Sequence, residues 1–178
     1  MKPLDSQILN SEKILLSDSD IKRLTFDLCK VLVYEELLNY KNIDDVFGSY
    51  EGIIVLYENT RNSGHWCLLY KVPNKQRTLY FFDPYGYQMD SEIKWSKYLV
   101  QQGFLDQPAL SYLVKYSNYK LQQNKIKYQV LQDGVNTCGR HLCVRFNYRH
   151  YNERDYKTFL LGNQHYNPDF WVSILTQF

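Results

Sequence analysis

Four side chains in this sequence, His65, Asp83, Gln132 and Cys138, are of the types that together cleave an acyl bond through a thiol. That chemistry needs a thiolate to attack a carbonyl carbon, a base to take the thiol proton, a group that orients the base, and donors for the oxyanion that forms. Cys138 supplies the sulfur, His65 the imidazole and Asp83 the carboxylate. Gln132, six residues before Cys138, carries an amide able to swing toward the oxyanion beside the Cys138 backbone N–H. Gly139 follows the sulfur directly, and a residue without Cβ there lets backbone and substrate approach closely.

These residues act together only if the elements carrying them converge. His65 opens the apolar run 66–72 and Asp83 closes the run 78–82, with Pro73 and Asn74 marking a turn between the two. An antiparallel hairpin over these runs sets the start of one strand beside the end of the other, so an imidazole and a carboxylate 18 residues apart meet at one sheet edge. A third run, 53–57, is rich in β-branched residues, and 59–64 reads as the turn leading to His65. Residues 127–131 read as a further strand, after which 132–137 turn into a helix that starts near Cys138 and continues through Val144. The free amides at that helix start favour a thiolate, which predicts a lowered thiol pKa.

Elsewhere, Ile21, Leu24, Leu28, Val31 and Leu32 recur at helical spacing after the capping residues 17–20, predicting a helix to about Asn39. Ser91 can cap a helix over 91–102, a second helical stretch follows Pro108, and 155–161 and 169–175 suit short helices. No repeat or linker interrupts the chain, so residues 1–178 are expected to form one domain. Its class is α+β: a mixed, mainly antiparallel sheet flanked by helices, with the cysteine at a helix N-terminus.

Gly64-His65-Trp66, then Phe82-Asp83-Pro84-Tyr85-Gly86, then Gln132 and Asn136-Thr137-Cys138-Gly139 resemble, in order and spacing, the motifs of the adenovirus maturation protease and its SUMO-specific relatives. The acid-Pro-aromatic-Gly element looks closest to the branch that includes virophages and Maverick-type elements. This resemblance spans residues 52–144. It implies a cysteine endopeptidase with His65, Asp83, Gln132 and Cys138 in its site, with Trp66 packed beneath the catalytic loop in support. It also implies processing of viral capsid or core precursors, cleavage after small residues such as Gly, and residence in the virion. In the adenovirus enzyme a disulfide-linked peptide and DNA assist. Nothing in this sequence assigns that disulfide or requires either activator.

Simpler readings set the limits. Cys29, Cys67 and Cys143 read as small core residues, and four cysteines with no apolar leader suit free thiols in a reducing, intracellular setting. His141, His150 and His165 read as structural histidines. Soft ligands are present in His65, Cys67, Cys138, His141 and Cys143, but none forms a paired Cys-x-x-Cys, so no metal is assigned. A net charge of +2 with scattered basic residues leaves only weak DNA contact, and the Tyr- and Lys-bearing stretch 112–128 reads as a half-buried face. No run approaches the roughly 18 apolar residues of a membrane span, and the expected partner is a protein substrate met by a monomer. Rival functions with the same residues are a ubiquitin- or SUMO-like deconjugating protease, an acyltransferase, and a binding module that keeps the fold without catalysis.

Overall fold

The computed structural model describes residues 3–162 and 165–177. Its centre is a five-stranded mixed sheet in the order β1-β2-β3-β4-β5: β1 Cys29–Val33, β2 Gly52–Thr60, β3 Ser63–Lys71, β4 Thr78–Phe82 and β5 Lys120–Gln123. The three middle strands pair antiparallel, and each outer strand runs parallel to its neighbour. Because side chains alternate along a strand, β2 and β3 feed two separate cores, which is why they read as almost continuous apolar runs.

On one face Ile54, Leu56, Trp66, Leu68, Tyr70 and Phe82 pack against α6 (Cys138–Asn147), α7 (Glu153–Leu161) and α8 (Pro168–Leu175). On the other, Ile53, Val55, Tyr57, Cys67, Leu69 and Phe81 pack against α3 (Ile43–Phe47), α4 (Lys97–Gln101), α5 (Ala109–Lys115) and the 3₁₀ turns Tyr34–Asn39 and Ser91–Trp95. Two short helices, α1 (Pro3–Ser11) and α2 (Asp18–Leu24), complete the order. The class is therefore α+β with helices on both faces of a mixed sheet. Among the described residues, no helix is long and apolar enough to cross a membrane.

Four expectations about elements need correction. The helix predicted from Ile21 to Asn39 ends at Leu24: Phe26 and Asp27 take positive φ, and Cys29–Val33 pairs with β2 instead. Val31 and Val33 are β-branched, and a ladder beside β2 offers more burial than a solvated helix would. The expected helix over 91–102 breaks at Ser96, whose hydroxyl donates to the Glu58 carbonyl while its oxygen caps the Leu99 N–H at 3.0 Å. The residue that caps the 3₁₀ turn is Asp90 and not Ser91, with φ +66 and no side-chain capping bond.

The turn expected over 59–64 shrinks to Arg61 and Asn62, since β2 continues to Thr60 and β3 begins at Ser63. Finally, 127–131 is not a strand. The N–H groups of Tyr128 and Gln129 both donate to the Pro84 carbonyl, at 2.8 and 3.0 Å, and the strand beside β4 is Lys120–Gln123. The helices after Pro108, at Cys138 and in the tail form as expected, and 78–82 is β4 to the residue.

Candidate active site

His65 is on β3 and Asp83 lies one step past β4. Leu68 pairs with Phe82 in the ladder, so Asp83 comes level with Cys67, on the same face as His65. His65 Nε2 and Asp83 Oδ1 are 3.0 Å apart, and both residues are buried. A carboxylate at this nitrogen fixes the proton on Nε2 and leaves the Nδ1 lone pair to act as base.

Asp83 is itself held from three directions. Its N–H donates to Asn124 Oδ1 at 3.0 Å, its carbonyl accepts from Asn124 Nδ2 at 2.7 Å, and its Oδ1 accepts the Tyr85 N–H at 2.8 Å. The turn is closed by the Gly86 N–H on the Asp83 carbonyl at 2.8 Å. Gly86 has φ +78, and a Cβ there would come within 3.1 Å of the Ile126 backbone, so glycine is required. Tyr85 stacks on the His65 ring at 4.7 Å and 22°. Asn124 was invisible in the sequence because no motif marks it; only the approach of β5 to β4 gives it a role.

The glycine before the histidine has an equally local cause. A Cβ on Gly64 would stand 2.0 Å from the Tyr57 carbonyl oxygen, so this position lets β2 and β3 close up next to His65.

Cys138 opens α6 and is buried. The preceding Thr137 makes no side-chain capping bond, because its hydroxyl donates to Asp169 instead. The first-turn amides of α6 are therefore left for an anion at the sulfur or beside it. Cys138 and His65 line one cleft of about 360 Å³, whose walls include Tyr85, Tyr87, Glu92, Trp95, Gln129 and Val135. Burial alone would push the imidazolium of His65 down. The neighbouring Cys67 sulfur, the Asp83 carboxylate and the Cys138 thiol, all hydrogen-bonding partners of the ring, outweigh burial and hold it well above the ordinary histidine range. Burial drives the thiols of Cys29, Cys67 and Cys143 far up, which leaves them as inert core groups.

Two expected roles are not met as drawn. Gln132 is exposed and lines a neighbouring hollow with Lys127, Val130 and Asp169, while Gln129 is buried and reaches the cleft. Gln132 starts a turn closed by the Val135 N–H at 3.2 Å, which points its side chain outward. The space above Gly139 is filled by Leu16, whose Cβ lies 3.4 Å from where a Gly139 Cβ would be, so this glycine faces the core and not a substrate. Trp66 is buried in the same apolar cluster as Leu16 and Cys138.

Donor atoms of His65, Cys67 and Asp83 lie within 4.8 Å of one another. The imidazole is already committed to Asp83, and we assign no metal to the group. His141, the other buried histidine, bonds Asp169 at 3.0 Å, one helical turn along α6 from Cys138.

No model of a known protein family matches the chain. Among curated proteins, the uncharacterized protein V9 of Sputnik virophage is 31% identical over 170 residues, covering 93% of this chain and 95% of that protein. The chain belongs to the V9 family. Solved structures similar to this V9-family chain include the ASFV pS273R protease, with TM-score 0.47 and 12% identity over 94% of this chain and 68% of that one. A de-sumoylating protease has TM-score 0.43 and 14% identity over 99% and 86% of the two chains. The SUMO protease Ulp1 has TM-score 0.42 and 12% identity over 99% and 94%.

Proposed function

We propose that this V9-family chain is a cysteine endopeptidase of the adenovirus-protease type that processes capsid or core precursors of a virus-like element. The observation that carries the reading is the convergence of His65, oriented by Asp83 at 3.0 Å, with Cys138 at a helix start in one cleft. A carboxylate-oriented imidazole beside a thiol at a helix start is the arrangement that takes the thiol proton and stabilises the resulting ion pair.

His65 Nδ1 takes the Cys138 proton, and the Asp83 carboxylate stabilises the imidazolium. The sulfur attacks the scissile carbonyl, and the imidazolium gives its proton to the leaving amine. Water activated by the same nitrogen then hydrolyses the thioester. The oxyanion meets the Cys138 N–H and a side-chain amide. We assign that amide to Gln132, on the loop leading into Cys138, which has to turn in from its exposed position to reach the cleft. Both His65 and Cys138 are less than a tenth exposed, at 8% and 4%, which supports selection of small residues such as Gly before the cut. The rings of Tyr85, Tyr87 and Trp95 follow one another along the wall, at 6.1 and 4.7 Å between neighbours, and suit an extended peptide.

The virophage relative supports a viral substrate. Co-expression of the capsid precursor of the encoding element with wild type and with Cys138→Ala tests the proposal. Cleavage, read by sequencing the new termini, should occur only with the wild type, and cleavage by Cys138→Ala would sink it.

A further inference from the structure

The reaction as written leaves one carboxyl of the cleft without a task. Glu92, on the Ser91–Trp95 turn, places Oε1 3.7 Å from His65 Nε2, the nitrogen that Asp83 already holds at 3.0 Å. Glu92 lines the cleft with His65, Tyr85 and Cys138. Among the described residues no donor reaches Glu92 Oε1 or Asp83 Oδ2, though both oxygens are buried. Two carboxylates and one imidazolium cannot share so dry a space without cost, and a proton held between the carboxyls relieves it.

Burial pushes the Glu92 carboxyl up to about 7, against the pull of His65 and with the further push of Asp83, to which it can donate when protonated. Cys67 and Tyr85 also feel its charge. Lys94, on the same turn, is a nearby cation and leans over the Trp95 ring at 4.3 Å. Glu58 on β2 is turned away, its Oε1 accepting the Asn62 N–H at 2.7 Å.

We propose that Glu92 is a positioning residue for the base. As an acid it donates to the free oxygen of Asp83, and as a carboxylate it adds a second negative charge beside His65 and prolongs the life of the imidazolium–thiolate pair as pH rises. The proposal rests on the reading of His65 and Cys138 as base and nucleophile, but its test needs no substrate.

The ring ¹⁵N resonances of His65, assigned with a His65→Gln variant, report its protonation directly. In Glu92→Gln the imidazolium should titrate lower than in wild type by about 1 pH unit or more, the usual effect of one charge at this range. Glu92→Asp keeps the charge and should move the midpoint back toward wild type. An unmoved midpoint in Glu92→Gln, even with a lower melting temperature, assigns Glu92 a structural role and overturns the proposal. Should Glu92→Gln fail to fold, the wild type decides: its His65 resonances must show a second inflection near pH 7, and a single-step titration overturns it. Cleavage by Cys138→Ala would remove the protease reading and leave this measurement standing.

Discussion

Gln129 and Gln132 are three residues apart on one loop and share the hollow beside Asp169, but of the two only Gln129 also lines the cleft with His65 and Cys138. Loss of one oxyanion donor costs a factor of about 100 to 1,000 in turnover, so kinetics can tell them apart. Gln132→Ala should lower kcat by about 100-fold with little change in KM, and Gln129→Ala should cost far less. The reverse order would show that the buried amide already in the cleft is the donor. Residue chemistry also sets a pH window. The Glu92 carboxyl is raised from 4.5 to about 7, so the folded state holds a proton that the unfolded chain gives up earlier. Its contribution to stability is therefore full below 4.5 and is lost as pH rises toward 7. Glu92→Gln should narrow the drop in melting temperature over that interval.

At the scale of elements, the start of α6 depends on a neighbour that the chemistry never touches. Asp169, buried at the start of α8, accepts from His141 Nε2 at 3.0 Å, the Thr137 hydroxyl and the Val130 N–H at 3.0 Å. Burial works to raise its pKa, but those three donors outweigh it and hold the carboxyl below its ordinary value. Its contribution to stability is thus present above the unfolded value and lost as pH falls through the lower folded one. The 130–137 loop is fastened at its other side by the Asn136 N–H on the Glu12 carbonyl at 2.7 Å and by Asn136 Nδ2 on the Lys13 carbonyl at 2.9 Å. Asp169→Ala should destabilise the protein by about 2 to 3 kcal/mol in urea unfolding, since it strands buried donors. It should also slow alkylation of Cys138 by iodoacetamide, because the helix start loses its fixed place. A variant as stable as wild type would deny this clamp.

Across the whole molecule, two cores on opposite sheet faces are joined through β2 and β3, and a buried cation closes one of them. Arg145 is 1% exposed, and among the described residues no carboxylate bonds to it. Its guanidinium lies 4.4 Å from the Tyr156 ring and 5.0 Å from Tyr80, and donates to the carbonyls of Tyr148 and Tyr151 at 3.0 and 3.1 Å. Rings and carbonyls replace its water, and a lysine cannot reproduce the planar fork. Arg145→Lys and Arg145→Ala should each cost stability, the latter by about 3 kcal/mol, measured by urea unfolding. Sequence alone determined the hairpin that carries His65 toward Asp83 and the helix that begins at Cys138, because local patterns of period two, turn residues and capping are enough to specify them. It misassigned residues 25–33 and 127–131, where burial beside β2 and hydrogen bonds to Pro84 override local preference. Asn124, Glu92 and the outward turn of Gln132 were decided only by the tertiary structure, since each depends on which distant strand or loop arrives next to it.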